Sequence, residues 1–176
     1  MPNSWQASLQ RLLNQQTAES RIAIVGIGNA LRSDDAAGIL VAHRLMESRY
    51  LPDPKTVLIM DAGHAPENGT SQLRRFEPDV VLLIDAVEMG EAPGHIRWVE
   101  MDEIEGMSAS THSLPLSMLA GYLNWELKCE VTLLGIQPKS NDVGETVSAD
   151  VEQAVQSIIE TFDDVFRLIA LQGVNL

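Results

Sequence analysis

An α/β fold, with a mostly parallel sheet covered by helices on both faces, is predicted by three observations on the 176-residue chain. Short aliphatic runs recur along it. Segments with the helical period alternate with them, and the runs close on Gly-Asn, Asp or Gln-Pro, as buried strands entering loops do.

Taken in order, Trp5, Leu9, Leu12 and Leu13 fall at helical spacing and predict a short amphipathic helix ahead of the core, docked on it rather than held out as an arm. The run 21–27 is the first strand, ending in Gly28-Asn29. A helix follows over 35–49, with Ser33 or Asp34 as N-cap and Ala37, Leu40, Val41 and Leu45 on its apolar side. Residues 55–60 and 80–84 are two further buried strands closed by Asp61 and Asp85, with a short helix over 71–76 between them. After Pro93-Gly94, the alternation of residues 95–100 fits an edge strand with one wet face, the natural antiparallel member. Leu114, Met118, Tyr122 and Trp125 then share one face of a helix that tolerates Pro115 in its first turn. The fifth strand spans 130–136. A closing helix from Ser148 carries an apolar stripe from Val151 through Phe162 to Ile169.

With 45% hydrophobic, 21% charged and 5% aromatic residues, the composition is that of a globule with an aliphatic core, sized for one domain over 21–176 plus an N-terminal helical extension over 1–20. Twelve Lys and Arg against 25 Asp and Glu give a formal charge of −13. That sign argues against nucleic acid or an anionic membrane as partner. The single cysteine, Cys129, excludes an internal disulfide and a Cys-held zinc or iron–sulfur centre, and fits a reducing cytoplasm and an inert core thiol. Residues 1–20 lack the apolar centre of a secretion signal. The longest purely apolar run, Val80–Ile84, is far short of the roughly 18 residues that cross a bilayer.

Ligands of open α/β sheets bind outside the carboxyl ends of the strands. Asp34 and Asp35, Asp61, Asp85 and the segment Thr111-His112-Ser113 all fall at such ends or in loops beside them. Singly, each has an ordinary explanation. Asp35 suits the first turn of a helix, where the dipole favours an acid by about 0.3–1 kcal/mol. Asp85 can satisfy the N–H groups of a following turn, and His112 can be an exposed loop residue. Together, Asp35, Asp85 and His112 make an O, O, N donor set suited to a borderline divalent ion such as nickel or zinc, with positions left for substrate.

Other signals are weaker. Gly26-Ile-Gly28 opens like a dinucleotide-binding loop, but Leu31 stands where the third glycine belongs, so the close helix–strand approach is not expected. His43, His64 and His95 read as structural or exposed. Serine-hydrolase, zincin and phosphate-loop signatures are absent from the sequence.

Five co-linear segments carry a family resemblance: the run from Gly26 through Asp34-Asp35 to Gly38, Asp61-Ala-Gly-His-Ala-Pro66-Glu67-Asn68, Ile84-Asp85-Ala86, Thr111-His112-Ser-Leu-Pro115, and Gly135-Ile-Gln137-Pro138. From about Ile22 to Ile159 the chain resembles the hydrogenase maturation endopeptidases, particularly the type serving the formate hydrogenlyase hydrogenase. The resemblance implies a three-layer α/β/α sandwich of the phosphorylase/hydrolase-like kind, around a five-stranded sheet with one antiparallel strand. It implies a peptidase that removes the C-terminal extension of a nickel–iron hydrogenase large-subunit precursor after nickel insertion. On that reading Asp35, Asp85 and His112 are the catalytic and metal-contacting positions, the nickel arrives with the precursor, and the free enzyme holds no tightly bound metal. A nickel- or precursor-binding maturation chaperone without catalysis is the alternative. Two departures stand out: Ala62-Gly63 replaces the family's paired glycines, and the helix before Arg21 has no inherited role.

Overall fold

A computed structural model describes residues 4–15, 19–105 and 115–171. Helix α1 (Trp5–Asn14) begins at Ser4, whose hydroxyl accepts a hydrogen bond from the Ala7 N–H at 3.3 Å. Its Leu9, Leu12 and Leu13 are buried in the same cluster as Phe162 and Phe166, so this helix is docked on the core.

Strands β1 (Ile22–Ile27), β2 (Val57–Gly63), β3 (Val80–Ala86), β4 (Ile96–Val99) and β5 (Glu130–Ile136) form one sheet in the order β2-β1-β3-β5-β4. All pairs are parallel except β4 with β5. Alternate residues of each strand serve opposite faces. Ile24, Leu82, Ile84 and Leu134 meet α2 (Ala37–Met46), α6 (Ala149–Leu171) and α1 on one side. Val25, Val81, Leu83 and Leu133 meet α3 (Thr70–Phe76), α4 (Met101–Glu105) and α5 (Leu116–Leu127) on the other. The expected mixed sheet with helices on both faces is what forms. Among the described residues no helix is long and apolar enough to cross a membrane. The long helix α6 buries the stripe from Val151 to Ile169 and leaves its opposite side wet.

Four local expectations are corrected. The strand expected at 55–60 as fully buried runs from Val57 to Gly63 and is half exposed, because β2 has β1 alone as a neighbour. Asp61 therefore lies inside the strand rather than closing it. The helix expected from Asp35 starts as a 3₁₀ turn over Ser33–Ala36, and α2 has no side-chain cap: Ser33 donates its hydroxyl to the Thr146 carbonyl, while Asp34 is engaged elsewhere. Pro115 precedes α5 as its N-cap instead of entering the first turn. On α5 itself the buried face is Leu116, Leu119, Ala120 and Leu123, whereas Met118 is 60% and Trp125 69% exposed. That helix is apolar nearly all round, so periodicity selected the wrong side. The expected Leu114 lies outside the described residues.

Candidate active site at the switch of strand order

From β1 the chain passes outward to β2 through α2 on one face, then returns to β3 through α3 on the other. The connections therefore diverge between the carboxyl ends of β1 and β3, the position where open α/β sheets place their ligand crevice. Asp35 is delivered to it by the 3₁₀ turn after β1, and Asp85 by the penultimate position of β3. Both are buried, Asp35 at 2% and Asp85 at 0% exposure. By strand alternation Asp85 shares the side of Leu83, the face that α5 covers. Carboxylates taken this far out of water are costly unless a cation, a proton or donors accompany them.

The backbone around Asp35 is fixed by glycines. Gly28 has φ of +150°, and a β-carbon on it would fall 1.8 Å from the Asp35 carbonyl oxygen, which also accepts from the Asn29 N–H at 3.0 Å. The close approach of helix to sheet, not expected because of Leu31, is present and made by other glycines. A β-carbon on Gly26 would meet the Gly38 carbonyl at 2.2 Å, and one on Gly38 the Ile84 carbonyl at 2.1 Å. Gly38 takes the packing role that Leu31, 73% exposed, does not have.

Asp34 is a buried hub. Its carboxylate accepts from the N–H groups of Lys139 (2.7 Å), Ser140 (3.1 Å) and Ser148 (2.7 Å), and from the Ser148 hydroxyl (2.9 Å). Burial alone would raise its pKa, but these donors outweigh it and hold the group below its ordinary value. The hub joins the Asp35 turn to both ends of the β5–α6 loop, at Lys139-Ser140 and at Ser148 just before α6. Gln137 does a similar job beyond Asp85: its amide oxygen accepts from Met89 N–H (2.7 Å) and Glu91 N–H (3.2 Å), while its nitrogen donates to Glu88 Oε1 at 2.8 Å.

Asp61, expected at the same rim, bonds His43 Nε2 through Oδ2 at 2.7 Å and accepts the Gly63 N–H through Oδ1 at 2.8 Å. The Gly63 carbonyl in turn accepts from the Gly28 N–H at 3.0 Å, linking the end of β2 to the Asp35 loop. Sequence reasoning did not find the His43–Asp61 pair, since no pattern joins a helix position to a residue 18 positions on in the following strand. His64 and His95 are exposed, as expected. Cys129 is buried, its thiol directed at the Leu123 carbonyl and its pKa raised by that burial. Thr111, His112 and Ser113 lie outside the described residues. Among the described residues no three His, Cys, Asp or Glu side chains gather to hold an ion. Of the expected trio, the two carboxylates are placed, at neighbouring strand ends.

Comparison with known proteins adds to this geometry. The family model described as hydrogenase maturation protease matches residues 39–164. The hydrogenase 3 maturation protease of Escherichia coli K12 is 32% identical over 139 residues, covering 78% of this chain and 85% of the relative. Among solved structures, the NiFe hydrogenase maturation protease HycI from Thermococcus kodakarensis superposes with a TM-score of 0.79 at 32% identity, covering 91% of this chain and 99% of that one. The E. coli hydrogenase maturating endopeptidase HybD gives 0.70 at 26% identity, covering 88% and 95%.

Proposed function

This chain belongs to the hydrogenase maturation protease family, and from that membership we propose that it cleaves the C-terminal extension from a nickel–iron hydrogenase large-subunit precursor, recognising the nickel already inserted there. The observation that supports the reading is the pair of buried carboxylates, Asp35 and Asp85, at the strand-order switch of an otherwise aliphatic sheet. His112 is the nitrogen ligand of the proposed set, as the family resemblance implies.

Nickel is part of the substrate. Held by the precursor's own ligands and touched by Asp35, Asp85 and His112, it fixes the scissile bond in place and polarises the carbonyl or water beside it. Of the two other carboxylates expected at this rim, Asp34 is unsuited as general base, because four donors already occupy its oxygens and weaken its basicity. Asp61 remains, oriented by His43 and the Gly63 N–H.

The experiment is to mix purified protein with the nickel-loaded precursor and follow the large-subunit mass. A shortened large subunit and a released peptide support the reading. Stoichiometric nickel retained by the protein, with the precursor left whole, would make it a metal-carrying chaperone instead.

A further inference from the structure

Among the described residues the sheet has two end strands, β2 and β4. No strand pairs the outer side of β2, and its register with β1 begins at Ile22↔Val57. The Ile22 N–H donates to the Thr56 carbonyl at 2.8 Å. In a parallel ladder that fixes the alternation: Leu58 and Met60 bond β1, and the N–H and C=O of Ile59 face outward. Natural edge strands are guarded by charges, proline or bulges. From Val57 to Met60 the edge carries none of these, and its register irregularity comes later, opposite Gly26 and Ile27.

A cavity of about 360 Å³ lies along this edge, lined by Met46, Leu51, Pro52, Pro54 and the consecutive residues Val57, Leu58 and Ile59. Successive strand residues point to opposite faces, so a cavity touching all three sits at the rim of the sheet and not on one face. Backbone groups facing outward beside an apolar slot are what an added strand uses: main-chain hydrogen bonds for affinity, and a pocket for alternate side chains. Two residues further on, about 7 Å along the strand, stands Asp61, at the end that turns through Gly63 toward Gly28 and Asp35.

We propose that the open edge of β2 binds an extended, basic segment of the substrate by strand addition, feeding the chain toward the crevice. The occupant follows from charge. Asp53 and Asp61 bracket the edge, with Lys55 between them, and the chain carries −13 overall, which repels a second copy and attracts a cationic peptide. The proposal rests on the peptidase reading for the identity of the substrate but is tested apart from it.

The test is hydrogen exchange at the Ile59 amide, with and without the full-length precursor, beside steady-state cleavage by Ile59→Pro and Leu51→Lys. Exchange at Ile59 slows at least about tenfold on complex formation, and both variants raise KM about tenfold with kcat within about twofold, because uniform binding is lost and chemistry is not. Ile59→Pro removes an outward N–H and no bond to β1. Leu51→Lys keeps the test open should the proline variant fail to fold. Unchanged Ile59 exchange in a precursor complex, or an unchanged KM for Leu51→Lys, overturns strand addition. A concentration-dependent dimer abolished by Ile59→Pro gives the edge to a second copy and also overturns it. Protection without cleavage supports strand addition while removing the peptidase reading, cleavage without protection does the reverse, and the absence of both removes both.

Discussion

Gly38 of α2 and Ile84 of β3 meet backbone to backbone: a β-carbon on Gly38 would fall 2.1 Å from the Ile84 carbonyl oxygen and 2.3 Å from that of Ile27. Through this contact the helix that follows Asp35 is seated on the strand that ends in Asp85. The separation of the two carboxylates is thus set by main-chain packing, which no side-chain rearrangement can relax.

Gly38→Ala should therefore be costly although it adds one methyl group. The opposing atoms are backbone, so α2 must shift, and destabilisation at the upper end of the range for overpacking, about 3 kcal/mol, is expected. Urea unfolding checks it: a lower midpoint with an unchanged slope is the expected result.

Asp34 makes stability depend on acid. Its folded pKa lies below the ordinary 3.8, so its contribution is present above that value and is lost as pH falls through the folded pKa. Asp34→Asn should cost about 2–3 kcal/mol at pH 7, since an amide cannot accept from all four donors. It should also flatten the fall in stability below about pH 4, and chemical denaturation at several pH values reads both effects.

Cys129 should be a poor nucleophile while the protein is folded. Burial raises its pKa and keeps reagents out. Alkylation by iodoacetamide at pH 8 should be slow in buffer and fast in urea, and mass spectrometry reports the ratio.

The two faces of α5 should respond oppositely. Leu119→Ala removes a buried side chain and should cost about 2–5 kcal/mol, whereas Met118→Ala, on the exposed face, should change stability by no more than about 0.5 kcal/mol. Comparable losses from both would contradict the seating of the helix.

This helix also shows where sequence reading stops. The stripe of α6 was legible because charged residues fill its other side, leaving one choice of buried face. In α5 both sides are apolar, and only the sheet decides between them. The strands, and the two carboxylates at their ends, were legible because aliphatic runs stopped at Asp85 and at the Gly28 loop. The partners of Asp34 come from residues more than a hundred positions away, so its role as a hub had no local signal. The packing role of Gly38 had no local signal for a related reason. The dinucleotide spacing puts a glycine at position 31, while the chain meets the same steric need at the second residue of α2.

In the proposed site, Asp35, Asp85 and His112 grip an ion brought by another polypeptide. Its most direct measurement is single-turnover cleavage of nickel-loaded and nickel-free precursor by the wild type and by Asp85→Asn. The account predicts cleavage of the loaded precursor by the wild type, with at least about a hundredfold loss for nickel-free precursor and for the variant. Equal rates on loaded and nickel-free precursor, or a fully active Asp85→Asn, would contradict it.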